Sequence, residues 1–266
     1  MIPAATRYAR ADDVEHALEL LTEDDAKALA GGQSLVPVMK LRIARPSLVV
    51  DISRLDLRGI ETRGGELHIR PLTTWAELLR SDDLDRPALA AIRECAEGIG
   101  DLQVRNLGTV GGSVVHADPA SDMPAVLLAL GARLQLRSRS GEREVALADA
   151  LVGPFLTVLE PGELLVDVVL DLPAPGSGSA YASLEHPASG FALVGAAALV
   201  GPEQENVALT GVGATPFLLG GEPEAAIAGA DVYGDRFASA EYRRELAAVL
   251  ARRALDSARE RAQEDR

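Results

Sequence analysis

Cysteine is almost absent from this chain of 266 residues, and histidine is sparse. The single cysteine, Cys95, excludes internal disulfides and iron–sulfur clusters held by cysteines of this chain. The four histidines, His16, His68, His116 and His186, lie far apart, so no two have the spacing of a metal site. We therefore predict no metal centre and no acid–base catalytic residue. We expect Cys95 to be a small buried side chain, and His16 and His68 to face solvent.

Basic and aromatic residues are also scarce. The chain has only two lysines, Lys27 and Lys40, a formal net charge of −14 and 3% aromatic residues. An acidic chain is unsuited to bind nucleic acid, whose phosphates require clustered cations. The longest apolar run, residues 191–200, is about half of the ~20 residues needed to cross a bilayer, and no N-terminal leader is visible. We expect a cytoplasmic protein without a membrane span.

Glycine is concentrated at two places. Residues 103–113, which we call the second glycine segment, contain Gly108, Gly111 and Gly112 among polar side chains. Glycine lets a backbone approach a ligand closely and adopt positive φ, and successive amides then form an anion site without any lysine. A tight glycine turn between two strands explains the pattern equally well.

The first glycine segment, Ala30–Leu35, follows a short apolar run at residues 26–30 that is typical of a strand. In it Gly31 and Gly32 again precede small polar residues. Two such segments are able to close on one diphosphate from two sides. Neither has the Gly-x-Gly-x-x-Gly of a Rossmann unit placed between a strand and a helix, and the chain has no Gly-Lys-Ser or Gly-Lys-Thr of a P-loop.

Together these segments resemble the two FAD loops of the molybdenum hydroxylase flavoproteins. The matching stretches are AGGQSLVP at residues 30–37 and QVRNLGTVGG at residues 103–112. The stretches HADPASDMPA at residues 116–125 and HPASGFA at residues 186–192 are similar to further parts of the same family. The resemblance is strongest to the medium, FAD-binding subunit of the carbon monoxide dehydrogenase type, and it covers essentially the whole chain.

The resemblance implies one bound FAD and assigns the residues near it. Thr109 and Ser113 match positions that bond the pyrophosphate, although many relatives carry Asn where Ser113 stands. Asp122 matches an acid near the ribityl or adenosine part, and Ile99 and Leu165 match apolar neighbours of the cofactor. The implied cofactor-binding residues are Ala30, Gly31, Gly32, Gln33, Ser34, Leu35, Ile99, Asn106, Thr109, Gly111, Gly112, Ser113, Ala117, Asp118, Asp122 and Leu165.

Two of the implied acids have simpler interpretations from their local sequence. Asp118 precedes a proline, where Asp commonly forms a loop by bonding its own backbone. Asp122 precedes Met-Pro and is placed to start a helix. Both interpretations stay open at this point.

The resemblance also implies an α+β fold. It is the two-subdomain FAD-binding fold of the PCMH type, as in vanillyl-alcohol oxidase and the flavin domains of xanthine dehydrogenases. The FAD-binding domain would comprise residues 1–173, with subdomains at about 1–53 and 54–173. A small C-terminal α/β domain with an antiparallel sheet and helices would comprise residues 174–266. The boundary falls at the stretch rich in Pro, Gly and Ser at residues 173–179.

The implied function is electron transfer within a complex. A large molybdenum–pterin subunit and a small 2Fe–2S subunit would be the partners, in a dimer of heterotrimers. This chain would take electrons from the clusters onto FAD and pass them to an external acceptor, a quinone or NAD. The alternatives are a stand-alone flavin oxidase or reductase with its own organic substrate, and a cofactor-free scaffold.

Two local patterns carry further expectations. Thr74 with Glu77 three residues later is a capping box that predicts a helix start. Residues 240–262 have the apolar spacing of a long helix, and its arginines, among them Arg243, predict a solvated face.

Overall fold

A computed structural model describes residues 2–265. The first subdomain is a parallel sheet of three strands in the order β1-β3-β2, with a helix after each of the first two strands. The central strand β3 is buried along its whole length, as expected in a parallel sheet. The elements are β1 (Arg7–Arg10), α1 (Val14–Leu20), β2 (Ala26–Leu29), α2 (Leu35–Lys40) and β3 (Leu48–Asp51).

The second subdomain is an antiparallel sheet of five strands in the order β4-β5-β10-β6-β7, packed on helices. Its first half contains β4 (Ile60–Arg63), β5 (Glu66–Ile69), α3 (Trp75–Leu78), α4 (Ala90–Gly98), α5 (Leu102–Leu107), α6 (Val110–His116) and α7 (Asp122–Ala129). Its second half contains β6 (Arg133–Ser138), β7 (Gly141–Ala146), α8 (Leu147–Ala150), the hairpin β8 (Leu151–Gly153) and β9 (Leu156–Thr157), and β10 (Leu164–Asp171).

Helix α7 is the centre of the main core. All of its residues from Met123 to Ala129 are buried, which is the pattern of a helix enclosed on every side. It packs in one cluster with the buried leucines and valines of β5, β6 and β10. Because α7 begins at Asp122, the core fixes the position of that acid.

The C-terminal part is a four-stranded antiparallel sheet in the order β11-β12-β13-β14, covered by a long helix. Its elements are β11 (Gly178–Glu185), β12 (Ala192–Val200), β13 (Glu205–Thr210), β14 (Phe217–Leu218), α9 (Pro223–Gly229) and α10 (Ala240–Glu264). Helix α10 lies so close to the sheet that a Cβ on Gly178 would be 2.3 Å from the carbonyl oxygen of Ala258.

The other face of this sheet packs on the second subdomain. Ala197, Leu199 and Ala208 belong to the main core cluster. The amide of Tyr181 donates to Glu94 Oε2 at 2.7 Å, and Asn206 Nδ2 donates to the carbonyl oxygen of Ala129 at 3.1 Å. The two parts therefore share one core, and a domain boundary near residue 173 stays a prediction.

Two expectations about single residues are wrong. His68 is 3% exposed, and its Nδ1 is 2.8 Å from Asp167 Oδ2, because β5 and β10 place the two side chains side by side within the sheet. Arg243 is 7% exposed, since it donates to the carbonyl oxygens of Leu193 and Gly211, at the end of the C-terminal sheet where β12 begins and β13 stops.

Within residues 2–265, no helix is both long enough and apolar enough to cross a bilayer. In the same part of the chain, no three His, Cys, Asp or Glu side chains are grouped as metal ligands.

Candidate functional site

The two glycine segments touch each other through their backbones. A Cβ added to Gly31 would stand 1.7 Å from the carbonyl oxygen of Leu107 and 3.1 Å from the amide nitrogen of Gly108. Any side chain at this position would collide with main-chain atoms that cannot rotate away. Gly31 therefore permits the contact that brings the two segments together.

The first glycine segment has free amide groups. The amides of residues 31–35 have no hydrogen-bond acceptor among residues 2–265, whereas the amide of Val36 donates to the carbonyl oxygen of Gly32. Gly32 has a φ of +72°. A residue with positive φ among consecutive unpaired amides forms a concave group of donors suited to an anion such as a diphosphate.

The second glycine segment is not the loop that the sequence predicts. It consists of two short helices, α5 and α6, joined at Gly108 and Thr109. Asp101 accepts from the amides of Gln103 and Val104, and Thr109 accepts from the amide of Gly112 at 3.1 Å. Short helices can form here because each has its own side-chain N-cap.

The amides around the glycines of α6 are already used inside the protein. The amide of Val110 donates to the carbonyl oxygen of Thr73, and the amide of Gly111 donates to that of Pro71 at 2.9 Å. Neither Gly111 nor Gly112 has positive φ. The expectation that this segment presents a row of exposed amides is therefore wrong.

The glycines of the second segment serve close packing instead. A Cβ on Gly108 would be 2.6 Å from Trp75 Nε1, and one on Gly111 would be 2.3 Å from Pro71 Cβ and 2.8 Å from its carbonyl oxygen. A Cβ on Gly112 would meet only the side chain of Thr109, at 2.7 Å. These contacts hold the segment against α3 and the residues before it.

The turn that follows the second segment is held by its own polar groups. Ala117 adopts a φ of 50° at the end of α6. Asp118 accepts from the amide of Ala120 at 2.9 Å, which is the loop-forming role that its sequence suggests. Ser113 Oγ lies 2.6 Å from Ser121 Oγ. Ser113 therefore already has a hydrogen-bond partner, and it braces the turn.

Asp122 does start α7, and its carboxylate accepts a hydrogen bond from the hydroxyl of Tyr181 in β11. Burial raises the pKa of Asp122 to about 6, the Tyr181 hydrogen bond opposes that rise, and the charge of Glu185 adds to it. Burial and the same carboxylate raise the pKa of Tyr181 well above its ordinary value. This pair joins the second subdomain to the C-terminal part.

The remaining predicted residues lie in three environments. Gln33 and Asn106 are exposed, and Asn106 Nδ2 donates to the carbonyl oxygen of Leu102. Ile99 is half-buried at the end of α4. Leu165 is 3% exposed and packs in the main core. The half-buried residues Ala30, Ser34 and Leu35 surround the free amides described above.

A cleft of about 430 Å³ lies between the two parts of the chain. Asp118, Pro119 and Phe155 line it from the second subdomain, and loops near His186 and Tyr233 line it from the C-terminal part. Residues of the motifs at 116–125 and 186–192 line the cleft, whereas the lining residues near 233 belong to no motif visible in the sequence. These lie in a loop without periodicity, and their only local signal is an aromatic residue in a chain with few of them.

Comparisons with known proteins show what the chain is similar to. The sequence profile of a family described as the FAD binding domain in molybdopterin dehydrogenase matches residues 4–174. The chain is 37% identical to the carbon monoxide dehydrogenase medium chain of Afipia carboxidovorans, over 98% of this chain and 99% of the relative. It is 36% identical to the 6-hydroxypseudooxynicotine dehydrogenase complex subunit alpha of Paenarthrobacter nicotinovorans, over 98% of this chain and 97% of the relative.

Solved structures agree with the sequence relatives. The fold matches a chain of the reconstituted CO dehydrogenase from Oligotropha carboxidovorans with a TM-score of 0.91 at 35% identity, over 98% of this chain and 100% of the other. It matches a chain of quinoline 2-oxidoreductase from Pseudomonas putida 86 with a TM-score of 0.89 at 28% identity, over 98% of this chain and 99% of the other. The predicted α+β fold and the family resemblance are confirmed.

Proposed function

Because the chain belongs to the family of FAD-binding domains in molybdopterin dehydrogenases, we propose that it holds one FAD without a covalent link. As the flavin subunit of a molybdenum hydroxylase complex, it transfers electrons and does not itself oxidise the organic substrate. The observation that carries the proposal is the contact at Gly31, where five consecutive free amides lie against the second glycine segment.

The residues present fit a dinucleotide that carries a diphosphate. The amides of residues 31–35 supply hydrogen-bond donors, and Gly32 supplies the curvature that points them at one anion. The second glycine segment, which has few free amides, forms the opposite wall. The proposed cofactor-binding residues are those that the resemblance assigns, from Ala30 to Leu35, then Ile99, Asn106, Thr109, Gly111, Gly112, Ser113, Ala117, Asp118, Asp122 and Leu165.

Bound FAD would supply the redox chemistry, and this chain would position the cofactor and tune its potential. The buried pair of Asp122 and Tyr181 joins α7 to β11 and so fixes the second subdomain against the C-terminal part. That arrangement suits a protein whose task is to hold a cofactor in one place.

Partners follow from the relatives. Proteins named a medium chain and a complex subunit alpha align with this chain over nearly its whole length. We propose a large molybdenum–pterin subunit and a small 2Fe–2S subunit as partners, in a dimer of heterotrimers. The single cysteine supports this, because the clusters that supply electrons must then lie on another chain. A cytoplasmic location stays a prediction, and substrate specificity belongs to the large subunit.

A stand-alone oxidase is the rival function, and one experiment separates the two. The isolated chain should be yellow, and acid precipitation should release all its flavin into the supernatant as FAD. Dithionite should bleach the bound flavin, yet the aldehydes, purines and N-heterocycles that molybdenum hydroxylases oxidise should not bleach it. Rapid bleaching by such a substrate would favour the oxidase, and flavin retained on the pellet would contradict the non-covalent proposal.

A further inference from the structure

Asp122 carries its carboxylate in surroundings that disfavour a negative charge. The acids Asp118 and Glu185 lie near it, and the thiol of Cys95 is a further neighbour. Among residues 2–265, no arginine, lysine or histidine forms an ion pair with Asp122. A desolvated carboxylate without a cation beside it tends to take up a proton. Some other group must therefore keep Asp122 ionised if its charge is used at neutral pH.

The hydroxyl of Tyr181 is the group that does so. It donates to Oδ1 of Asp122, and within residues 2–265 no other residue donates to this carboxylate. Burial raises the pKa of Asp122 to about 6, and the hydrogen bond from Tyr181 opposes that rise. Burial and the neighbouring carboxylate raise the pKa of Tyr181 well above its ordinary value, so the hydroxyl keeps its proton and remains a donor.

The C-terminal sheet leaves a space for this hydroxyl. Gly195 lies in β12, which pairs with β11, and a Cβ there would stand 2.2 Å from the Tyr181 hydroxyl oxygen and 2.8 Å from Thr210 Cγ2. Glycine inside a strand often marks the close approach of another group. The amide of Tyr181 is fixed as well, since it donates to Glu94 Oε2 at 2.7 Å. The hydroxyl is therefore held at Asp122 from both sides.

A carboxylate prepared in this way suits a ligand that brings hydroxyl groups. Asp122 is only half-buried, and its second oxygen, Oδ2, receives no donor from another residue of 2–265. An ionised carboxyl group accepts hydrogen bonds and donates none, and its hydrogen bonds are about twice as strong as those between neutral groups. FAD carries free hydroxyl groups on its ribityl chain and on its ribose.

We propose that Tyr181 is a positioning residue of the cofactor site, whose hydroxyl holds Asp122 as a carboxylate with one oxygen left to accept a hydroxyl group of bound FAD. This inference rests on the proposed function, in which Asp122 is a cofactor-binding residue. It gives the C-terminal part a role in cofactor binding. Tyr181 lies in β11, outside the residues 4–174 that the family profile matches, and every residue that the resemblance assigns to FAD precedes it.

The test is the pH dependence of FAD binding, measured by flavin fluorescence on titrating apo-protein between pH 5.5 and 8.5. Wild-type affinity should fall as the pH drops through about 6, where Asp122 takes up its proton. In Tyr181→Phe the midpoint of this fall should move up by about one pH unit, the size of a hydrogen bond to a charged group. The two proteins should bind FAD about equally at pH 8.5, where Asp122 is ionised in both.

Two further variants assign the effect. Tyr8→Phe is the matched control, because the Tyr8 hydroxyl also donates to an aspartate, Asp51, but in the first subdomain. The pKa of Asp51 is lowered, since hydrogen bonds from Tyr8 and Ser53 outweigh the effect of burial, so Tyr8→Phe should keep the wild-type midpoint. Asp122→Asn should bind FAD with little dependence on pH.

The outcomes separate this inference from the function on which it rests. A midpoint that moves up in Tyr181→Phe and stays in Tyr8→Phe supports the proposal. An affinity that Tyr181→Phe lowers by the same factor at every pH would overturn it, because Tyr181 would then only hold the two parts together. An unchanged midpoint in Tyr181→Phe, or a wild-type midpoint in Asp122→Asn, would overturn it too. A wild-type chain that binds no FAD would instead refute the proposed function.

Discussion

The two glycine segments look alike in sequence but differ in what their glycines do. In the first segment, Gly32 adopts positive φ and the neighbouring amides are free. In the second, Gly108 and Gly111 have negative φ, and each lies against a side chain or backbone of the preceding region at distances that leave no room for a Cβ. The amide of Gly111 is already bonded.

A glycine pair therefore has at least two physical causes, which composition does not separate. One is access to the ligand, where the backbone must expose its donors. The other is close approach between segments of the protein, where the missing side chain matters and the donors do not. Gly31 combines the two causes. It lies in the first glycine segment, whose amides are free, and its missing side chain permits the contact with Leu107.

The largest expected effect comes from Gly31→Ala, which separates the two segments. Its Cβ would lie 1.7 Å from the carbonyl oxygen of Leu107, so one backbone must move. We expect FAD affinity to fall at least ~100-fold, about 2.7 kcal/mol at 1.4 kcal/mol per tenfold. Titration of apo-protein into FAD, followed by flavin fluorescence, measures this, with circular dichroism to confirm folding.

The matched control is Gly220→Ala. No heavy atom lies within 4 Å of a Cβ at this position, and Gly220 does not have positive φ. Its affinity for FAD should equal that of the wild type. A folded Gly31→Ala protein that also binds FAD like the wild type would show that the contact between the segments has no part in the cofactor site.

Gly111→Ala should affect folding more than binding. Its Cβ would lie 2.8 Å from both the Cα and the carbonyl oxygen of Pro71. Overpacking of this kind costs about 1–3 kcal/mol, and we expect a loss of about 2 kcal/mol in the free energy of unfolding, measured by urea denaturation. The folded fraction should bind FAD within ~3-fold of the wild type.

Gly229→Ala, in open space at the end of α9, controls for the added methyl group. If Gly111→Ala loses FAD affinity without losing stability, the glycines of the second segment act on the ligand directly, and the contrast between the segments disappears.

Asp122 tests whether charge, and not only packing, matters beside the second segment. Its pKa is raised from 3.8 to about 6 in the folded chain, so the folded state binds the proton more tightly than the unfolded state. Its contribution to stability is therefore complete below pH ~4 and is lost as the pH rises through 6. Asp122→Asn should remove this pH-dependent loss in the free energy of unfolding. We expect the loss to be about 1.5 kcal/mol, because the Asp122 side chain is partly exposed and solvent screens its charge.

Urea denaturation at several pH values between 4 and 7 measures this difference. Asp149→Asn is the control, because Asp149 is exposed and the same charge is removed there without burial. An Asp122→Asn protein whose stability falls with rising pH as steeply as that of the wild type would show that the buried carboxylate is not the cause.

Much of the fold could be predicted from local sequence. The capping box at Thr74 and Glu77 is confirmed with both hydrogen bonds in place, and the long C-terminal helix is confirmed at Ala240–Glu264. Periodicity and capping act over a few residues, so they are visible in the sequence. The strands β4 and β7 and the hairpin of β8 and β9 are not evident from the sequence, since none of their residues is fully buried and they carry no marked apolar pattern.

The site was harder to predict because its contacts join distant residues. The burial of His68 depends on Asp167, and that of Arg243 on the carbonyl oxygens of two residues that precede it by 50 and 32 positions. Two amides of the second segment are bonded because Thr73 and Pro71, which lie 37 and 40 residues before those amides, supply carbonyl oxygens, whereas the amides of the first segment have no such acceptor. No local pattern shows such partners.

The smallest expected effect is that of Thr109→Ala, and it bears most directly on the comparison. Thr109 Oγ1 accepts from the amide of Gly112 at 3.1 Å and caps α6. If this is its only role, the variant should lose about 1 kcal/mol in the free energy of unfolding, as expected for a lost N-cap. FAD affinity should then hardly change, and Thr109→Ser, which keeps the hydroxyl, should restore stability.

If Thr109 instead bonds the pyrophosphate, as the family resemblance implies, Thr109→Ala should lose FAD affinity by about 5-fold or more, the size of one hydrogen bond. Urea denaturation of the apo-protein and FAD titration, measured on both variants, decide between a second segment that only packs and one that also binds.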